Sequence, residues 1–309
     1  MPNVAANGIH IEYAECGSEK APAILLIMGL GMQLTTWPEA LCTGLADRGF
    51  RVVRFDNRDV GKSTKIPRPN ALALAATFAG ALAGLPVIPP YTLRDMAADA
   101  VGLLDALRID RAHVVGVSMG AMIGQIIAAE RSARVRSLTS IMSSSGNPNL
   151  PRGDRRVRWA LMRRRRTRDR ESAIRQAMDL YRLIGSPGFP TSDRELRAKV
   201  ELSITRCDYP PGFSHHLLAI IACGSRVDLL RRIRVPTLVV HGTEDPLIPV
   251  EAGRDTAANI PGAALRIIPG MGHDLADGLV PILINAIADH CGRADRAAAA
   301  DVLAATGST

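Results

Sequence analysis

The chain has 309 residues, 47% hydrophobic and 22% charged, which supplies a large apolar core and excludes a wholly disordered polymer. The net charge of +8 is local: Arg152–Arg170 holds ten arginines against two aspartates, and the remainder balances at 28 basic and 28 acidic residues, so a nucleic-acid-binding role is not expected. Five cysteines (Cys16, Cys42, Cys207, Cys223, Cys291), never spaced C-x-x-C, argue against a disulfide framework and a zinc site and make the reducing cytoplasm the expected compartment.

In chain order, Met1–Asn7 carries no basic cluster with an apolar stretch behind it, so no secretory signal is expected. Gly8–Glu15 alternates as a half-exposed strand, and Ala23–Met28 (AILLIM) reads as a short buried one. Pro38–Arg48 follows as a helix and Arg51–Phe55 as the next strand. Lys65–Pro90 is proline-studded and irregular. Thr92–Arg108 predicts a helix, with Thr92 and Asp95 three residues on as its cap. His113–Val117 is a strand with a helix starting just past Ser118, and Val135–Met142, Pro236–His241 and Leu265–Ile268 are further strands. Gly278–His290 closes the series as a helix, and Ala294–Thr309 reads as an alanine-rich tail or frayed helix. Between the strands, Ser143–Arg234 shows no buried-strand pattern and reads as an inserted helical cap. Strands alternating with helices predict an α/β fold around a mostly parallel sheet. The expected organisation is a core of 1–142 and 235–293, a cap of 143–234 and a tail of 294–309. No apolar run reaches the ~18 residues of a membrane span.

The chemistry concentrates at Gly116-Val117-Ser118-Met119-Gly120, between a predicted strand and a predicted helix. A serine there must turn sharply, and glycines two before and two after leave room for the turn. Its hydroxyl then stands above the carboxyl end of the sheet, beside the Met119 N–H at the helix start. Serine needs a base, and His273, in the Gly-rich loop after the LRII strand, reaches that edge of the sheet. His241 is its rival, at the end of the preceding strand; His10, His113, His215, His216 and His290 suit structural roles. The orienting acid belongs in HGTEDPLIP, where Asp245 precedes the stiffening Pro246 and Glu244 is the alternative. A second oxyanion donor is expected from Met28-Gly29-Leu30-Gly31-Met32, with the Leu30 N–H as the choice. Gly29, Trp37 and Leu247 are the candidate pocket lining.

The segments LLIMGLGMQLTTWP, VVRFDNRDVGKST, AHVVGVSMGAMIGQ, PTLVVHGTEDPLIP and IPGMGHDL together resemble the α/β-hydrolase family, and within it the cap-bearing bacterial esterases of the aclacinomycin methylesterase type. The resemblance spans roughly Gly8–His290. It implies an α/β-hydrolase fold with a helical cap, a Ser118–Asp245–His273 triad, and Leu30 and Met119 as oxyanion hole. Asp56–Ser63 resembles the family's D-x-R-G-x-G-x-S loop with Asp59 in place of a glycine, and is read as bracing for the oxyanion side. The expected activity is cleavage of carboxylic esters of small, largely apolar molecules, with no cofactor and no metal. Lactonase, iminopeptidase and catalytically silent ligand-binding relatives are the alternatives. A small-molecule ester is the expected partner, and homodimerisation is left open. Arg163–Arg166 is read as a solvated face of the cap without a catalytic role.

Overall fold

A computed structural model describes residues 1–67, 80, 85–162 and 169–306. The Arg163–Arg166 run and most of the Lys65–Pro90 stretch lie outside the described residues.

Eight strands form one sheet: β1 (Asn3–Ala6), β2 (Ile9–Cys16), β3 (Ala23–Ile27), β4 (Arg51–Phe55), β5 (Ala112–Val117), β6 (Val135–Ile141), β7 (Thr237–Gly242) and β8 (Ala264–Ile268), in the spatial order β1-β2-β4-β3-β5-β6-β7-β8. The β1–β2 and β2–β4 pairs are antiparallel, and every later pair is parallel. The central strands β3, β5 and β7 are buried along their whole length, which is why they read as continuous apolar runs rather than alternating ones. β1 escapes the sequence pattern because NVAA is short and mostly outward-facing.

Alternation along the strands sorts side chains onto two faces. Leu25, Ile27, Val53, Phe55 and Val114 pack beneath α2 (Leu93–Ala106) and α3 (Met119–Glu130). Ile24, Leu26, Val52, Val115 and Val117 pack beneath α1 (Glu39–Ala46) and the C-terminal helix Val280–Thr306. Leu25 and Leu26 are fully buried on opposite faces, so truncating either to alanine should cost about 2–5 kcal/mol. α2 starts at the expected capping box, with Thr92 accepting from the Asp95 N–H and Asp95 accepting from the Thr92 N–H.

Between β6 and β7 the described residues form five helices: α4 (Arg155–Met162), α5 (Arg170–Ile184), α6 (Asp193–Arg206), α7 (Pro210–Cys223) and α8 (Val227–Leu230). α6 opens with its own capping box, Ser192 and Glu195. α9 (Val250–Asn259) joins β7 to β8. The last helix, α10, runs Val280–Thr306, past His290 where the sequence pattern ends it. The alanine-rich segment that reads as a tail or frayed helix continues this helix through Thr306, because alanine costs it nothing in side-chain entropy. All five cysteines are free. No helix among the described residues is long and apolar enough to cross a membrane.

Candidate active site

β5 delivers Ser118 to the carboxyl edge of the sheet, and the turn into α3 is tight enough to be measured by its glycines. A Cβ on Gly116 would lie 2.3 Å from the Gly120 carbonyl oxygen, and one on Gly120 would lie 2.0 Å from that of Ile27. Ser118 itself sits at φ +55°, a left-handed conformation costing a non-glycine residue about 1–3 kcal/mol. The surroundings hold it there: the Ser118 N–H donates to the Ile141 C=O, and the Ser143 hydroxyl donates to the Ser118 C=O at 2.8 Å.

Three predicted side chains meet. His273 Nε2 lies 3.0 Å from Ser118 Oγ, and His273 Nδ1 lies 2.7 Å from Asp245 Oδ2. Asp245 Oδ1 accepts the backbone N–H groups of Leu247 and Ile248 at 2.9 and 2.8 Å. Burial pushes the Asp245 carboxyl up, but the His273 charge and the bonds from His241, His273 and Ile248 outweigh it and hold it well below the usual carboxylate range. A permanent carboxylate on Nδ1 makes His273 Nε2 available to take a proton from the serine.

The rivals fall elsewhere. Glu244 is exposed beside Thr243, whereas Asp245 is buried. His241 is fully buried and donates its Nε2–H to the Ile248 C=O at 2.8 Å, with Asp245 at 3.5 Å.

On the oxyanion side, Met28–Met32 forms a turn in which the Met32 N–H donates to the Gly29 C=O at 3.2 Å and Gly31 takes φ +67°. A Cβ on Gly29 would lie 3.3 Å from Ser118 Cβ, so the backbone of this turn runs directly against the serine. Met119 opens α3 and so has no intrahelical acceptor for its N–H, and among the described residues nothing takes the N–H of Leu30. Both N–H groups are thereby without a backbone or side-chain acceptor among the described residues. The loop after β4 braces this turn: Asp56 accepts the Leu34 N–H at 2.8 Å, and Asn57 donates to the Met28 C=O at 3.0 Å.

A cavity of about 2800 Å³ adjoins the site, between the core and the helices that follow β6. Of the three candidate pocket residues, Trp37 and Leu247 line it. Gly29 does not; it backs onto Ser118 and Val117, and its neighbours Gly31 and Met32 form the wall instead. Ser118 and His273 do not themselves line the cavity; Gly31 in the Met28–Met32 turn, Leu247 shortly after Asp245 and Asp274 next to His273 in the chain are among the residues that do.

Some supporting residues carry no signal in the sequence. Ser186, past α5, bonds to the Asp274 carboxylate and accepts the Gly272 N–H at 2.8 Å, while the His273 N–H donates to the Ile184 C=O at 2.7 Å. These bonds fasten the loop of His273 to a segment 85 or more residues away, and only a G-S-P-G turn (Gly185–Gly188) marks the place.

Comparison with known proteins agrees with this architecture. Residues 22–277 match the family model described as the alpha/beta hydrolase fold. Rhodomycin D methylesterase DauP of Streptomyces sp. (strain C5) is 28% identical, over 86% of this chain and 90% of that protein. Rhodomycin D methylesterase DnrP of Streptomyces peucetius shows the same identity and coverage. The crystal structure of the enol-lactonase from Burkholderia xenovorans LB400 superposes with a TM-score of 0.73 at 24% identity, covering 94% of this chain and 99% of that one, and so shares the fold. With the elbow serine, the eight-stranded sheet and the matched span of residues in agreement, the chain belongs to the α/β-hydrolase family.

Proposed function

We propose that the protein is a serine hydrolase that cleaves carboxylic esters of largely apolar molecules through Ser118, His273 and Asp245 without a cofactor. The observation that carries this reading is the unbroken hydrogen-bonded chain from Asp245 through His273 to Ser118, on a serine held at a positive φ. His273 takes the serine proton as Oγ attacks the ester carbonyl. The N–H groups of Leu30 and Met119 receive the oxyanion, and the Asp245 carboxylate steadies the imidazolium. His273 then protonates the departing alcohol, and water activated by the same imidazole releases the acid from the acyl-enzyme.

The substrate class follows from the cavity and the relatives. The walls are mainly hydrocarbon, including Met32, Trp37, Leu180 and Leu217, and the volume exceeds what a short-chain ester fills. The two methylesterase relatives act on an ester by name. In this reading 1–142 and 235–293 form the core, 143–234 is a cap whose helices enclose the cavity, and the free cysteines suit a cytoplasmic enzyme.

The test is turnover of p-nitrophenyl esters of increasing acyl length, with phosphonate labelling of the serine located by peptide mass. Turnover with the label on Ser118 is the expected result. Absence of both would refute the reading.

A further inference from the structure

The adjacent histidines of α7 are buried and read from sequence as structural, yet one of them touches the oxyanion turn. His216 is fully buried, with its Nε2 2.8 Å from the Arg58 carbonyl oxygen and its Nδ1 3.2 Å from the Gly31 nitrogen. A carbonyl only accepts, so Nε2 carries the proton and Nδ1 of the neutral ring accepts the Gly31 N–H. Gly31 is the residue at φ +67° in the turn closed by Met32 and Gly29. The Gly31 N–H belongs to the central peptide of that turn, and fixing it fixes Leu30 from its C-terminal side.

The seat of α7 is built around the residue that departs from the family motif. Asp59 takes φ +67°, a left-handed backbone that the glycine of the motif this loop resembles adopts without strain. Its Oδ2 lies 2.8 Å from His215 Nδ1, with both side chains fully buried, and its Oδ1 accepts the Ile66 N–H at 2.7 Å. A Cβ on Gly212 would lie 2.2 Å from the Asp59 carbonyl oxygen, so α7 approaches this loop as closely as backbone allows. The Tyr91 ring meets both imidazoles edge-on, at 6.1 and 6.2 Å between centroids, and Arg58 lies over its face while binding Asp99.

We propose that His216 is a positioning residue for the oxyanion hole: by accepting the Gly31 N–H it holds the Leu30–Gly31 peptide, and hence the Leu30 donor, in its working orientation, on a helix seated by the Asp59–His215 pair. This rests on the reading of Leu30 as an oxyanion donor given above. The imidazole touches no reacting atom. It acts as a strut from the cap to the turn.

The side chain offers a separable test, because asparagine places an acceptor near the position of Nδ1 whereas glutamine places a donor near that of Nε2. His216→Ala and His216→Gln should lower kcat for a p-nitrophenyl ester by about 10- to 100-fold, less than outright loss of an oxyanion donor, with KM changed less than threefold. His216→Asn should recover most of that loss. Melting temperatures should fall for all three, so rank order in kcat that departs from rank order in stability is the signature of positioning. If alanine retains kcat within twofold, or if glutamine recovers activity better than asparagine, the inference is overturned. Should the alanine variant fail to fold, the asparagine–glutamine comparison alone decides. Ser118→Ala is run alongside: were it to keep the parent's turnover, the triad reading itself would fail, whereas a dead Ser118→Ala beside an unimpaired His216→Ala would sink only this inference.

Discussion

Replacing Asp245 with asparagine should cripple the enzyme, and the structure dictates how. The side chain bonds on two sides at once: Oδ1 accepts from the Leu247 and Ile248 N–H groups, and Oδ2 faces His273 Nδ1 at 2.7 Å. Asparagine must keep its one oxygen toward the two backbone donors, which turns its NH₂ toward His273. The imidazole then accepts at Nδ1 and carries its proton on Nε2, 3.0 Å from Ser118 Oγ, where it cannot take a second one. Flipping the amide would restore the tautomer but set its NH₂ against two backbone donors, each left unsatisfied at about 1–3 kcal/mol. The resulting penalty of about 2–6 kcal/mol corresponds to roughly 30- to 10⁴-fold in rate, before the lost carboxylate charge is added. We therefore expect kcat for p-nitrophenyl butyrate to fall by at least about 10³-fold with KM little changed, and Glu244→Gln, at an exposed position, to stay within about threefold. Steady-state kinetics against a Ser118→Ala background, with circular dichroism to verify the fold, make the comparison. An Asp245→Asn enzyme within tenfold of the parent would refute the reasoning.

Ser118→Ala should lose about 10⁴-fold or more of kcat and all phosphonate labelling, measured on protein whose melting curve matches the parent. Gly120→Ala should destabilise by about 3 kcal/mol or more, since its Cβ would stand 2.0 Å from the Ile27 carbonyl oxygen; unfolding in urea checks it, and an unchanged midpoint would contradict the packing of the elbow. Acid should destabilise the fold above the carboxylate range. Burial depresses His216 and His290 to about 4, so the unfolded chain, titrating near the ordinary histidine value of about 6.5, binds protons before the native state does. Stability is then full above pH about 6.5 and declines toward pH 4, while the depressed Asp245 keeps its contribution until still lower pH. Calorimetric melting temperatures equal at pH 7.5 and pH 5 would rule this out. Replacing Arg163–Arg166 with glutamine lowers the net charge from +8 to +4 and should leave kcat/KM for a neutral short ester within about threefold, because guanidinium groups cannot serve as bases at neutral pH; a large loss in a folded variant would give the run a part in the site.

The sequence was legible where one local rule governed a segment. The elbow is written in Gly116 and Gly120, whose missing Cβ atoms the turn requires, and the capping box of α2 in Thr92 and Asp95. Strands buried on both faces announce themselves as apolar runs, so β3, β5 and β7 could be read almost to the residue. The choice of Asp245 over Glu244 had only the neighbouring Pro246 to support it locally. Adjacent side chains point apart, and which one faces inward depends on how the chain leaves β7. Ser186 and His216 were opaque for a different reason. Each acts through bonds to groups far away in the chain, Ser186 to Gly272 and Asp274 and His216 to Gly31 and Arg58, and a serine or histidine in this segment looks the same whether or not such bonds exist. The continuation of α10 beyond His290 was legible only as a tail or a frayed helix, because an alanine-rich stretch has no apolar periodicity to mark it.

The helical segment between β6 and β7 is sewn, near its start and again in its middle, to the two loops that carry Asp245 and His273. Near its start, the Asp154 N–H donates to the Pro246 C=O, and a Cβ on Gly153 would lie 2.1 Å from the Leu247 carbonyl oxygen. In its middle, the Gly188 N–H donates to the Gly270 C=O, and a Cβ on either glycine would approach the other's Cα to 2.8 Å. These seams are backbone against backbone, so they constrain the exchange of this helical segment more than any cavity side chain does. A chimera that exchanges α4 through α6 while keeping Gly153 and the Gly185–Gly188 turn should keep the loops of Asp245 and His273 in place. One cut at the outer boundaries of the segment must rebuild both loops, whatever substrate its new walls would favour.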